Sequence, residues 1–276
     1  FALSSCGASL VRRAFAVVTF DDHLDDNTSD ETFKLTMQNI AKENPDFYIS
    51  LGDNFFTDKL RPPTAEAVED RVQLLRSYYN LMNHSTSMFL ALGGHEGENP
   101  GHLDGTPNNL AVWNTLERKK YYLNPPPNGF FSGDTTNHPY VGRRENYYAW
   151  TWGDALFVVI DPYWSSPVPV DGTLGNDGQR TRNRWDITLG DAQYRWLVST
   201  LSSSRARYKF VFSHHMTGGG TAEARGGAAF ARYFEWGGRN RDGSWGFADH
   251  RPGWEKPIQQ LLADGKIHVT GGLPGK

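Results

Sequence analysis

The sequence predicts an α/β fold in which strands deliver ligand-type side chains to one rim of a sheet. Two observations carry the prediction. Strand and helix periodicities alternate as β-α-β-α-β over the first ninety residues, which argues for a largely parallel central sheet with helices outside. The apolar runs AFAVVTF, DFYISL, SMFLAL and YKFVFS then end in Asp21-Asp22-His23, Gly52-Asp53-Asn54, Gly93-Gly94-His95-Glu96 and His214-His215. Oxygen and imidazole donors gathered at strand ends favour Mn, Fe or Zn over soft-metal sites, and so a two-metal hydrolase.

The elements follow in order. Residues 14–20 read as a buried strand. Ser29 or Asp30 caps a helix running to Glu43, with Phe33, Met37 and Ile40 at helical spacing. Residues 46–51 form the second strand. Residues 64–82 form a helix with Val68, Val72, Leu75, Tyr79 and Met82 on one side, and 88–92 the third strand. Residues 97–147 are rich in Pro, Gly and Asn, with one helix near 110–119. Segments 147–152 and 155–160 read as a hairpin turned at Gly153-Asp154. A polar loop spans 164–186. A helix covers 190–201, with Ala192, Trp196 and Leu197 apolar, and a strand 208–212. A Gly/Arg/Trp-rich excursion follows over 216–253, then a short helix at 257–263 and a last strand at 267–270. No repeat or interdomain linker interrupts the chain, so residues 1–276 read as a single domain.

Composition narrows the partners. A net charge of -3 gives no basic stripe for a nucleic-acid duplex. No run approaches the ~20 apolar residues of a membrane span. The single Cys6 excludes an intrachain disulfide framework and a cysteine zinc site. It follows Leu3-Ser4-Ser5, which either resembles the end of a bacterial lipoprotein signal or is an ordinary small residue near a terminus. Abundant Trp, Asn and Gly with few Lys suits a secreted, periplasmic or lipid-anchored protein.

Each cluster has two readings when taken alone. In Asp-x-His, period two puts Asp21 and His23 on one side of an extended segment and Asp22 on the other; either residue also fits a capped loop. Gly52 lets the backbone turn after a strand and sets Asp53 at the sheet edge, where a carboxylate can bridge two cations; the pair is also an ordinary turn. Asn54 suits a loop-holding role. His95 and Glu96 form a proton-handling pair in which Glu96 orients the imidazole, or His95 satisfies backbone groups in a glycine turn. Of His214 and His215, at most one reaches the metal bound by Asp53, since neighbouring side chains diverge.

Taken together, "DDH", "LGDNFFTD", "LGGHEGE" and "VFSHHMTGG" resemble the motifs of the calcineurin-like metallophosphoesterase superfamily: D-x-H, G-D, G-N-H-[DE], a lone His after a strand, and G-H-x-H. The superfamily includes purple acid phosphatases, phosphodiesterases and some nucleases. "NYYAWTWGDALFVVIDPYW" and "LGDAQYRWLVSTL" are similar to its supporting strand pair and helix. The resemblance implies a four-layer α/β/β/α sandwich with two divalent or trivalent metal ions (Mn, Fe or Zn). Asp21, His23, Asp53 (bridging) and His214 would be ligands. His95 would contact the phosphate and assist the leaving group, with Glu96 beside it. The implied activity is hydrolysis of a small phosphate ester, as phosphatase or phosphodiesterase, by a metal-activated water.

Three departures are visible. Phe56 stands where purple acid phosphatases carry their iron-binding Tyr, so no tyrosinate-to-iron colour is expected. Gly94 replaces the ligand Asn of the third motif. The segment "LLADGKIHVTGG" leads towards G-H-x-H, but the sequence then reads LPGK, so the last strands are expected to be missing, and His268 lies inside a strand. These departures support a second expectation: a catalytically impaired binding or scaffold protein of the same fold. A nuclease is the third. The Tyr/Trp-rich segment 121–185 and residues 225–254 would wall the cleft, with Arg225, Arg239 or Arg241 either meeting an anionic substrate or solvated.

Overall fold

Period-two alternation within one strand, β2 (Phe47–Ser50), sets the layering of the molecule. Phe47 and Ile49 face one side and Tyr48 the other, and all three are buried. A strand buried on both faces needs a covering layer on each. The computed structural model describes residues 16–19, 29–167, 183–215 and 230–273.

Two sheets result. In the first, β1 (Ala16–Thr19), β2 and β3 (Ser87–Leu90) are parallel in that order. The second holds β4 (Ser132–Gly133), β5 (Tyr148–Trp152), β6 (Ala155–Val159), β7 (Tyr208–His215) and β8 (Val269–Leu273). Its first three strands pair antiparallel, and β6, β7 and β8 pair parallel. The parallel sheet expected from the alternation is the first of these, and the second lies against it. The β5–β6 hairpin packs Tyr148, Trp150, Phe157 and Val159 against Phe47, Ile49 and Ala91, with Phe47 edge-on to Trp150 and Phe157, so the sheets stack instead of continuing. Trp150 is itself stacked between Phe89 and Phe157.

Helices cover the outer faces. Over the first sheet lie α1 (Asp30–Glu43), α2 (Ala65–Asn83) and α3 (Leu110–Tyr121), which bury Met37, Val72 and Leu110 among others with Tyr48 and Leu90. Ser29, Thr64 and Asn109 cap these three helices by accepting from backbone N–H groups of Thr32, Ala67 and Val112. Such a cap contributes about 1 kcal/mol. Over the second sheet lies α4 (Gly190–Ser203). Two short turns, α5 (Phe234–Gly237) and α6 (Phe247–His250), lead to α7 (Ile258–Asp264), which packs beside it. The four α/β/β/α layers agree with the resemblance. In α4 the buried face runs through Gln193, Tyr194, Leu197 and Leu201, and Ala192 is exposed. Among the described residues, no helix is long and apolar enough to cross a membrane.

The two halves are also joined by buried charge. Glu98 accepts from Arg118 at 2.6 Å and from Arg144 at 2.7 Å, and Arg144 reaches Asp161 at 3.3 Å. All four side chains are essentially sealed from solvent. Thr115 and Asn114 complete the shell of Glu98, and Asn146 donates to Asp161. Burial alone would raise the Glu98 carboxyl, but the two guanidinium groups outweigh it and hold it at about 2. Burial wins at Asp161, which is raised in spite of Arg144.

Removing one partner of such a network strands the others. Glu98→Ala is expected to cost about 3–5 kcal/mol in a denaturant titration. Because the folded-state pKa of Glu98 lies below its unfolded value of 4.5, its stabilisation is full above about pH 4.5 and is lost as pH falls towards 2. Glu98→Gln should therefore flatten the fall in stability over that window relative to wild type.

Candidate metal centre

The centre forms where two glycine turns touch. Gly52 and Asp53 follow β2 with φ of 97° and 58°, the left-handed region that suits glycine and strains aspartate. Gly93 follows β3. A Cβ on Gly52 would come within 2.5 Å of the Gly93 nitrogen, and one on Gly93 would meet the Asp53 carboxylate. Glycine at both positions lets the turns pack backbone to backbone.

Glu96 locks them together. Its carboxylate accepts from the N–H groups of Gly93 (2.5 Å), Asn54 (2.6 Å) and Asp53 (3.1 Å). It therefore does not orient His95, as the sequence suggested. His95 and Glu96 sit in a 3₁₀ turn, Gly94–Glu96, which sends neighbouring side chains to different sides. The His95 ring instead meets Asp58, Nδ1 to Oδ2 at 2.8 Å, and stacks on Phe56 at 4.4 Å between centroids. Asp58 escaped the sequence reading. Its signal was the last residue of "GDNFFTD", one further 3₁₀ turn (Thr57–Lys59) beyond Asp53. Asn54 holds the loop as expected: its amide oxygen accepts from Ser50 and Tyr79.

The fourth cluster arrives from the other sheet. The strand expected over 208–212 extends to His215, so both histidines lie within β7. Phe210 and Phe212 face the inter-sheet core. His214 continues that face and reaches the Leu51 carbonyl through Nδ1 at 2.7 Å. Its Nε2 lies 3.1 Å from Asp53 Oδ2 without the alignment of a hydrogen bond. His215 turns to Tyr163, Nδ1 to hydroxyl at 2.8 Å. A register shift between Phe212 and His215 leaves the two imidazoles only 4.7 Å apart between centroids.

Electrostatics mark Asp53 as the anionic focus. Burial would raise it, but the imidazoles of His214 and His95, with a bond from the His95 N–H at 2.9 Å, hold it well below the usual carboxylate range. Burial would lower His214, yet Asp53 raises it. His95 is likewise raised against its burial, first by its bond to Asp58 and then by Asp53. Glu96 is pushed up to about 7 by burial and by Asp53, against the N–H groups of Asn54 and Gly93 and the His214 imidazole.

The structure thus brings together Asp53, His95, Glu96 and His214. Asp21 and His23 lie outside the described residues, as do Cys6 and Arg225. Gly94 offers no side chain. Arg239 donates to the Gly243 carbonyl in its own loop. His268 is bonded to Lys209 where β7 begins, at the far end of the second sheet from His214. Among the described residues, no group of three or more His, Cys, Asp or Glu side chains is placed to hold one ion.

Two face-to-face sheets with a carboxylate and an imidazole meeting at strand C-terminal ends define a phosphoesterase-type α/β/β/α fold. The chain belongs to the calcineurin-like phosphoesterase family, whose model matches residues 23–241. A purple acid phosphatase from yellow lupin (Lupinus luteus) seeds superposes with a TM-score of 0.50 at 14% identity, over 93% of this chain and 37% of that one. PhoD superposes with a TM-score of 0.53 at 16% identity, over 95% of this chain and 50% of that one. The chain therefore spans half or less of either structure, and the likeness is one of fold. No curated protein matches the sequence.

Glu96→Ala would leave three buried N–H groups without acceptors, at about 1–3 kcal/mol each. The expected outcome is a loss of several kcal/mol in chemical denaturation, with Glu96→Gln recovering part of it.

Proposed function

We propose that the protein is a metal-dependent phosphoester hydrolase, with Asp53 and His214 as metal ligands and Asp21 and His23 completing the set. The observation that carries this reading is the approach of Asp53 Oδ2 and His214 Nε2 to 3.1 Å in a buried site. The donors suit a metal. A ligating imidazole commonly gives its other nitrogen to a backbone carbonyl, as His214 does to Leu51. The proton that His214 retains beside Asp53 supplies the positive charge that a cation would otherwise bring.

When bound, the metal ions supply Lewis acidity, which draws charge from phosphate oxygens and makes water nucleophilic near neutral pH. The protein's own groups do the rest. Glu96 fixes both turns through backbone N–H groups and so holds Asp53 in place. With Nδ1 committed to Asp58, His95 keeps Nε2 for the leaving-group oxygen. Asp58 orients the ring and favours its protonated form, and Phe56 restricts its rotation. A positioned acid of this kind contributes about 10²–10⁴ in rate. The substrate would be a small phosphate ester.

A second reading, a non-hydrolytic binding protein of this family, is supported by Gly94, which supplies no donor where the family motif has Asn. The two readings separate on metal content and turnover. The hydrolase reading expects about two transition metals per chain after reconstitution with Mn, Fe or Zn, and release of p-nitrophenol from its phosphate mono- or diester. Near-zero metal and no turnover would overturn it.

Three variants refine the test. Asp53→Asn should lose both metal and activity. His95→Ala should keep the metal and lose about 10²–10⁴ in kcat. Asp58→Asn should lie between wild type and His95→Ala. His214 must also shed its proton to bind metal, and its pKa is raised, so metal affinity should fall about tenfold per pH unit below that pKa. Calorimetry in buffers of different ionisation heat would register the released proton.

A further inference from the structure

A groove of about 750 Å³ lies on the outer face of the second sheet, on the side where β4 is only two residues long. Its floor is Ala149, Thr151 and Leu156. One wall is the Trp196–Thr200–Ser203 face of α4. The groove reaches Gly153 and Asp154 ahead of β6, and Ser204 to Ala206 ahead of β7, so it sits at the strand ends opposite His214. Tyr208 and His214 are six positions apart along β7, about 20 Å at the rise of a strand.

The chemistry of the lining selects a ligand class. Ser132, Thr151, Ser199, Thr200, Ser203 and Ser204 each bring a hydroxyl, which both donates and accepts. One acid, Asp154, and one base, Arg205, leave the groove without net charge, which suits neither a phosphate nor a polycation. The Trp196 indole is half-buried and fixed in plane, since its N–H donates to Ser132 at 3.2 Å and its ring packs on Tyr147 at 4.9 Å. Phe130, 60% exposed, stands at the groove as a second aromatic surface. The groove is of a size that takes small ligands. A sugar ring has an apolar C–H face to lie on indole and a rim of hydroxyls for paired donors and acceptors, and it carries no charge.

We infer that this groove is a carbohydrate site, binding a neutral oligosaccharide against Trp196 at a distance from the metal centre. The inference stands independently of the hydrolase reading.

The test is calorimetry and saturation-transfer NMR on the full chain, with hexasaccharides of β-1,4-glucose, α-1,4-glucose, N-acetylglucosamine, xylose and mannose as probes. At least one should bind with a millimolar or tighter Kd. Trp196→Ala should weaken it at least tenfold. Because that variant also loses the contact with Tyr147, Thr200→Arg serves as a second probe, filling the groove while leaving Trp196 packed; thermal unfolding checks both variants. Asp53→Asn should bind the sugar as wild type does, even if it has lost all metal. Absence of binding by all five sugars would overturn the inference. So would binding that survives both groove variants. An extended Ser/Thr peptide captured along the open edge of β5, in place of the sugars, would overturn it as well.

Discussion

Three backbone N–H groups converging on one side-chain carboxylate hold the centre of this structure. Glu96 accepts from Gly93, Asp53 and Asn54, and so binds the turn after β3 to the turn after β2. The left-handed backbone at Asp53 is intrinsically costly. It persists because Glu96 on one side and the close approach of Gly52 to Gly93 on the other leave the chain no alternative. The aim of Asp53, the reach of His95 N–H to it and the bond of Thr57 to the Glu96 carbonyl all follow from that clamp.

The clamp also organises charge. Asp53, Glu96, His95 and His214 share one buried volume, and their ionisation is collective. Glu96 is raised beside an ionised Asp53, and His214 takes the proton that balances that carboxylate. On the proposed reading, His214 would exchange that proton for a cation, with its ring already oriented by the Leu51 carbonyl. Away from this centre, the Glu98–Arg118–Arg144–Asp161 network performs an analogous task with fixed partners, using permanently charged guanidinium groups where the centre uses imidazoles.

Much of this was legible in the sequence. Helical spacing of Phe33, Met37 and Ile40, and of Val68, Val72, Leu75, Tyr79 and Met82, located two helices to within a residue or two, because one apolar stripe must face a core. The Gly153-Asp154 turn located the hairpin. The division into two sheets was not legible in the periodicity, because alternation fixes which side chains share a face and is silent on what lies against it; the ordered motifs supplied the four layers. Asp53, His95 and His214 were legible as a set because three apolar strands end in ligand types. The partner of His95 was not. Adjacency in sequence suggested Glu96, whereas a 3₁₀ turn separates neighbours and brings Asp58, 37 residues away, to the ring. Gly94 shows the reverse case, where the motif predicts a donor and the residue present has no side chain.

One consequence follows from the bond between the His214 ring and the Leu51 carbonyl, partners 163 residues apart in sequence. The two glycine turns are complete once the ribosome has delivered β3, yet the imidazole that faces Asp53 is made only when β7 emerges. At the pace of synthesis, about 5–20 residues per second, several seconds or more separate the making of β3 from that of β7. A nascent chain that ends before β7 therefore lacks the imidazole that faces Asp53. Docking of the second sheet is the step that brings His214 to Asp53.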